Sequence, residues 1–404
     1  MEVYAQIDYT DDKDYVEPLL LSALHNHLPS ILLQPPPTST SKSLTWTSYE
    51  SLDFPALLSS PTSLFNAYII RKALIRKHYL LTTLQNYTTK YPHSILKKAA
   101  PVSVAFEVDY AEFLDEALVE AYELLESLEK NEGCAEKEWW ILKPGMSDRG
   151  AGIRLFSTME ELQAIFEEWE EDSDEEDEDA RSDGEDKEKK GDGIITSRLR
   201  HFVAQTYIPP VLLPPKSPSS TRKFHIRTYV LAYSALKIYV YKNMLALFAA
   251  KEYTPPSPTE QDLSAHLTNT CLQSGIHDGS VIPFWKLPNS FDVPEEQLEK
   301  WYAQIREITS EVFKAAVSGG RIHFQPLPNA FEIFGFDFLI GEDGDVRILE
   351  VNAFPDFKQT GEEEKELVAG LFDGVVGVIK PFFGGEEVVD ERMDKVLDMQ
   401  VGVF

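Results

Sequence analysis

Cysteine is scarce in this chain: Cys134 and Cys271 are the two among 404 residues. Two thiols cannot build a disulfide framework, and no CxxC pair offers thiolates at zinc-binding spacing, which points to a reducing compartment. Long apolar runs are missing as well. No stretch reaches the roughly 18–20 residues that a bilayer-spanning helix needs, so no membrane association is expected. The opening residues, MEVYAQIDYTDDKDY, have neither the basic start nor the apolar stretch of a secretion signal. The expectation is a soluble, cytoplasmic protein. Basic residues are few: 38 Lys and Arg against 67 Asp and Glu leave a net charge of −29. Binding a phosphate backbone needs clustered Lys and Arg, so general binding of DNA or RNA is not expected.

What is present supports a large folded protein. A 43% hydrophobic content over 404 residues can fill a sizeable core in one large or several small domains. Much of the negative charge is local. Glu167 to Asp192 carries 16 acidic and 4 basic residues, a balance of −12, which leaves −17 for the rest of the chain. So few apolar residues cannot drive ordering, and 167–193 is expected to be a disordered insertion. Arg71 to Lys98 runs the other way, with seven Lys and Arg and no acid. It is either a solvated helix face or a docking surface for an acidic partner or a phosphate.

The patterning predicts an α/β protein with three parts. Val3–Asp8, a helix over 14–28 and a strand over 44–46 suggest a small N-terminal unit, residues 1–62. Residues 63–207 form a central part: helices over 63–87, 110–130 and 158–169, strands over 138–143, 153–156 and 200–207. Residues 208–404 form a C-terminal part. It has strands over 223–233, 237–241 and 245–249, a long helix over 294–317 and a final helix after Thr360. A hairpin joins 331–340 to 346–351 across Asp343-Gly344, a strong turn signal.

Four constellations carry chemistry. The first is Asp337 with Glu350 and Asn352, in the two strands of the predicted hairpin. Strand alternation puts Glu350 and Asn352 on one face, which Asp337 can reach across the hairpin. Two carboxylates and an amide oxygen form a hard-oxygen set suited to Mg²⁺, an ion that usually binds substrate phosphates as well. The alternative is that a carboxylate pairs with a cation such as Arg347 or Lys223. The second is the loop from Lys143 through Gly145, Gly150 and Gly152 to Ile153. Small residues let backbone N–H groups approach phosphate oxygens, and Lys143 adds a charge. It is neither a Walker A sequence nor a dinucleotide fingerprint. In the third, Lys223, His225 and Arg227 alternate onto one strand face, where a triphosphate or a carboxylate would satisfy them; an exposed sheet face is the alternative. The fourth, Gln205-Thr206-Tyr207-Ile208, ends a strand where backbone groups could meet an adenine edge.

Taken in order, WWILKPGMSDRGAGI, VAQTYI, KFHIRTYVL, HLTN and FEIFGFDFLI–ILEVN resemble the sequence elements of the tubulin–tyrosine ligase family over roughly residues 60–380. The likeness is nearest to fungal members, one group of which is a domain of a protein associated with mRNA-decay bodies; AFPDFKQTG (353–361) fits that branch. The resemblance implies an ATP-grasp fold that sandwiches ATP between the central and C-terminal parts. It implies ATP and Mg²⁺ as cofactors, and an acyl-phosphate route from a carboxylate and an amine to an amide. By position it assigns Lys77, Lys143, Ser147, Arg149, Gly150, Gly152, Ile153, Gln205, Tyr207, Ile208, Lys223, His225 and Asn269 to the nucleotide. Asp337, Glu350 and Asn352 are assigned to the metal. Arg227 is assigned to steering phosphate or acyl-phosphate charge. Three departures stand out. His225 replaces an Asp, Thr206 replaces a Lys, and Leu247 lies near the place of an Arg that helps hold the substrate carboxylate. Two functions therefore stand, beside a third, a non-catalytic tubulin binder. One is a ligase acting on an acidic protein tail, the tubulin C-terminus among the candidates. The other is an ATP-binding interaction module without ligation, partnered with mRNA-decay factors.

Overall fold

In the computed structural model of the chain, the described residues are 2–8, 13–38, 40–146, 150–179, 199–216, 221–257, 262–268, 280–319, 322–357, 364–386 and 390–400. Three sheets organise them. The first contains β1 (Val3–Asp8), β2 (Ile31–Leu32), β3 (Ser43–Thr47) and β4 (Ser63–Phe65) in the order β2-β1-β3-β4, every pair parallel. Parallel neighbours need a crossover, and the helix Lys13–His27 supplies the one between β1 and β2. Its Val16, Leu20 and Leu24 are buried at helical spacing. β4 lies beyond residue 62, so this sheet runs past the boundary expected for the N-terminal unit.

The second sheet, antiparallel, contains β5 (Ser103–Glu107), β6 (Trp140–Pro144), β7 (Arg154–Phe156) and β8 (His201–Thr206) in the order β5-β8-β6-β7. Trp140, Phe156, Phe202, Phe166 and Trp169 fill the core beneath it. The third sheet is built on β9 (Phe224–Tyr233). It adds β10 (Lys237–Tyr241), β11 (Leu245–Phe248), β12 (Val281–Pro283), β13 (Phe331–Ile340), β14 (Val346–Ala353) and β15 (Met393–Asp398). β13 pairs antiparallel with both β9 and β14. One face of this sheet packs in a core with the helix Glu295–Ser318. Part of the other packs with the helix Lys365–Ile379, whose apolar residues share a core with β1, β3 and the Lys13–His27 helix.

Two predicted helices are broken up. Over 63–87, Ser63–Phe65 is a strand, and helices run from Lys72 to Ile75 and from Lys77 to Lys90. The Phe65 amide donates to the Asn329 carbonyl at 3.2 Å, and Asn66 exchanges hydrogen bonds with the Thr47 backbone. Distant backbone thus overrides local helical pattern. Over 110–130 the helix Leu114–Ala117 stops and a second, Tyr122–Asn131, begins. The acidic stretch also differs from expectation: the helix Met159–Asp179 includes its first part, 167–179. Buried Leu162, Phe166 and Trp169 anchor that helix to the core, and extending a formed helix with Glu costs little. The remainder, 180–193, lies outside the described residues. β2, β5, β12 and β15 were not anticipated; in β15 the charges of MDKVLD mask the strand pattern. Among the described residues no helix is long and apolar enough to cross a membrane.

Candidate active site

A cleft opens between the second sheet and the face of β9, β13 and β14 that lies opposite the helix Glu295–Ser318. Its floor comes from the third sheet. Register places Asp337 opposite Glu350 on one side and opposite Arg227 on the other, with Gly335 opposite Asn352. The Asn352 side-chain amide donates to Asp337 Oδ2 at 3.3 Å and to Glu350 Oε1 at 3.2 Å. The three predicted metal residues are therefore in one hydrogen-bonded group facing the cleft.

Asp337 is 4% exposed. Burial alone raises a carboxyl pKa, but the Arg227 guanidinium and then His225 outweigh it and hold Asp337 well below the usual carboxylate range. Arg227 Nη2 lies 2.9 Å from Asp337 Oδ2, and Nε meets Oδ1. Burial pulls Arg227 down, Asp337 pulls it up, and the net effect is upward. The partner of Asp337 is thus Arg227, not Lys223 or Arg347. Arg347 pairs with Asp343 in the hairpin turn.

Lys143, near the end of β6, donates to Gln205 Oε1 at 2.7 Å, and Gln205 Nε2 donates to Ser103 Oγ at 3.1 Å. Lys223 places its ammonium 4.2 Å from the centre of the Tyr207 ring. Burial lowers Lys143 to about 8. Burial, with Lys143 adding to it, lowers Lys223 to about 7. Lys77, at the start of its helix, sits 3.7 Å from Glu350 Oε2.

Residues of HLTN tie the two sides together. The Tyr207 hydroxyl and His266 Nδ1 are 2.9 Å apart. His225 Nδ1 is 2.5 Å from Thr268 Oγ1, and its Nε2 is 3.5 Å from Asp337 Oδ1. The His225 imidazole thus links the 266–268 segment to the carboxylate floor.

Of the predicted residues, Lys77, Lys143, Gly150, Ile153, Gln205, Tyr207, Ile208, Lys223, His225, Asp337, Glu350 and Asn352 line the cleft. Gly152 and Arg227 are not part of that lining. Ser147, Arg149 and Asn269 lie outside the described residues. Gly150 and Gly152 have φ of +80° and +70°, a region where glycine carries no Cβ penalty. Gly145 serves packing: its amide donates to the His201 carbonyl at 2.7 Å, and a Cβ there would meet that oxygen at 2.9 Å. In the fourth constellation the Thr206 and Tyr207 amides are taken by the Val102 and Trp139 carbonyls, so neither is available to an adenine edge.

Sequence reasoning missed the apolar walls Ile141, Leu339 and Leu349. Leu349 escaped because the β13–β14 register slips between Asp337 and Phe338. A bulge puts two successive residues, Leu349 and Glu350, on the cleft side where strict alternation allows one. Leu339, two residues from Asp337 on the same strand, was accessible to the alternation rule. The basic stretch changes meaning at its first residue. Arg71 is buried, with Nε 2.9 Å from Glu332 Oε1 and its guanidinium over the Tyr49 ring, so it is no part of a docking surface.

The arrangement, buried lysines facing clustered carboxylates across an apolar-walled cleft between two α/β modules, is that of an ATP-grasp protein. The chain matches the model of the tubulin-tyrosine ligase family over residues 57–386 and belongs to that family. It is 43% identical to a Schizosaccharomyces pombe protein named probable tubulin–tyrosine ligase, across 100% of this chain and 98% of that protein. It is 45% identical to the Saccharomyces cerevisiae protein named probable tubulin–tyrosine ligase PBY1, across 87% of this chain and 48% of that protein; the match spans about half of that relative's length. Its fold matches the crystal structure of the C-terminal domain of Kluyveromyces lactis Pby1, described as an ATP-grasp enzyme interacting with the mRNA decapping enzyme Dcp2. That match has a TM-score of 0.73 and 37% identity, covering 99% of this chain and all of that one. ATP-grasp folds in general bind ATP and a divalent metal. The donor set fits such a metal: Asp337, Glu350 and Asn352 each carry a side-chain oxygen, Asn352 touches the other two, and all three line the cleft.

Proposed function

We propose that this chain is an ATP-dependent carboxylate–amine ligase that joins an amino acid to a carboxylate of a protein tail. One observation carries the reading: Lys77, Lys143 and Lys223 line the same cleft as Asp337, Glu350 and Asn352. Three cations opposite a hard-oxygen cluster match a metal-bound polyphosphate. Lys143 and Lys223 would neutralise phosphate oxygens, and Ile141, Leu339 and Leu349 would wall the base. Asp337, Glu350 and Asn352 would hold Mg²⁺, which would supply positive charge against the phosphates. A substrate carboxylate oxygen attacks the γ-phosphorus as ADP leaves; the amine nitrogen then attacks the acyl carbon and expels phosphate. The chain's contribution is positioning and charge neutralisation. The negative balance of the chain outside Arg76–Lys98 makes that segment the favoured surface for an acidic tail.

A second reading is favoured by Leu247. It is 6% exposed, paired with His225 across β9 and β11 and packed in an apolar core, so the cation expected there for a substrate carboxylate is absent. Under this reading the chain binds ATP without ligating and acts through a partner, as the Dcp2 interaction of the Kluyveromyces domain suggests. A cytoplasmic location suits either reading. The deciding experiment follows ADP release from Mg·ATP with detyrosinated tubulin and an amino-acid mixture, against Glu350→Gln, with intact mass on the acceptor. Acceptor-dependent ADP release with a mass gain establishes the ligase. Tight ATP binding with neither, across acidic-tailed acceptors, overturns it in favour of the second reading.

A further inference from the structure

Eleven large hydrophobic residues are exposed among the described residues, and four of them, Tyr110, Phe113, Val119 and Tyr122, fall within one short stretch. They are 46–69% exposed. The stretch covers the second sheet on the side of the 111–131 helices, and its inner positions explain why these four point outward. Ala111, Leu114, Leu118, Ala121, Leu124 and Leu128 recur at three- and four-residue spacing and are buried in the core with Phe106, Phe166 and Phe202. A stretch of short helices and turns that buries apolar residues inward and still shows Tyr110, Phe113, Val119 and Tyr122 outward has a second surface to cover. The Tyr110 and Phe113 rings meet edge-on at 6.3 Å, so part of this second face is already a joined aromatic surface.

Charge decides what covers it. Glu107 to Glu129 contains nine acidic residues and no Lys or Arg. Asp109 pairs with Arg200 and Glu126 with Lys130. Glu112, Asp115, Glu116, Glu120 and Glu123 are exposed, and none forms an ion pair among the described residues. Aromatic side chains interleaved with uncompensated carboxylates complement one kind of surface: apolar anchors flanked by Lys and Arg. An acidic tail, the acceptor considered for the cleft, is repelled here.

We propose that this face docks a cationic amphipathic segment of a partner protein, whose aliphatic side chains cover Tyr110, Phe113, Val119 and Tyr122 while its Lys and Arg meet Glu112, Asp115, Glu116, Glu120 and Glu123. The surface is separate from the nucleotide cleft, so docking and nucleotide binding can be measured apart.

The test is fluorescence anisotropy of a labelled sixteen-residue synthetic peptide (roughly four helical turns) with Leu at positions three and four apart and Lys elsewhere. Two control peptides accompany it, one with Leu replaced by Ser, the other with Lys replaced by Glu. The full chain carries either Tyr110→Ser with Tyr122→Ser or Glu116→Lys with Glu120→Lys, each checked for unchanged thermal midpoint and Mg·ATP affinity. Expected are at least tenfold weaker binding by both controls and at least a tenfold loss in each variant. Equal binding by the Leu and Ser peptides, or binding untouched by both variants, overturns the proposal. So does concentration-dependent self-association by sedimentation that both variants abolish, because the occupant is then a second copy offering its own Arg76–Lys98 stretch.

Discussion

Arg227 on β9 grips Asp337 on β13 with two nitrogens, Nη2 standing 2.9 Å from Oδ2. The residue expected to steer phosphate charge is thereby engaged in orienting a carboxylate expected to hold metal. Asp337→Asn leaves a largely buried guanidinium without its counter-charge. Removing one partner of a buried pair typically costs about 3 kcal/mol or more, so urea unfolding of Asp337→Asn is expected to show a loss of that order. A midpoint matching the wild type would mean that the pair contributes nothing to the fold.

Glu350 behaves differently. It is partly exposed, and its ion pair with Lys77 spans 3.7 Å, a kind of contact worth about 0–1 kcal/mol. Glu350→Gln is expected to leave thermal stability nearly unchanged and to weaken Mg²⁺-dependent ATP binding at least tenfold. Calorimetric titrations with and without Mg²⁺ test it; equal affinities for the two proteins in both buffers would remove Glu350 from the metal site.

The two buried lysines predict proton linkage. Lys143 falls from 10.5 to about 8 and Lys223 to about 7 on folding. Between those values and 10.5 the folded chain holds fewer protons than the unfolded one, so stability of the empty protein rises with pH from about 7 towards 10.5. A polyphosphate restores both charges, so ATP binding at pH 8 is expected to take up about one proton or more, and at pH 6 close to none. Binding heats at pH 8 in buffers of different ionisation enthalpy measure this. Heats independent of buffer would mean that the lysines take up no proton when ATP binds.

Trp169 lies inside the stretch whose composition suggested disorder, yet it is 1% exposed and stacks against Phe202 at 5.7 Å. Trp169→Ala is expected to cost about 3–5 kcal/mol, read by denaturant unfolding. A change below 1 kcal/mol would place Trp169 outside the core.

Leu247→Arg tests whether ligase character can be restored by one substitution. Leu247 is buried in an apolar cluster, and an unpaired buried cation is costly. Destabilisation by about 2 kcal/mol or more, without gain in acceptor-dependent ADP release, is expected. A variant that is stable and newly active would show that only the side chain at this position was limiting.

Most of the cleft was legible because its polar residues obey alternation or stand near strand ends: Lys143 is next to last in β6, Gln205 is next to last in β8, and Glu350 and Asn352 share a face. Leu349 was not legible, since a bulge is a property of two strands meeting and leaves no mark on either alone. Ser63–Phe65 was read as helix because its strand exists through partners in β3 and at Asn329, which lie far off in sequence.

The sequence by itself determined the inventory: which residues carry charge, which strands alternate, where Gly344 turns the hairpin, and the ordered motifs that resemble the family. Those features are local, set by side-chain chemistry and by the two- and 3.6-residue periods of the backbone. The tertiary structure alone decided the pairings. Asp337 could have met Lys223 or Arg347, and register set Arg227 beside it; Arg71 looked like surface and was buried against Glu332. Pairing partners are chosen by sheet register and by the cost of leaving a buried charge alone, and both depend on residues more than a hundred positions apart.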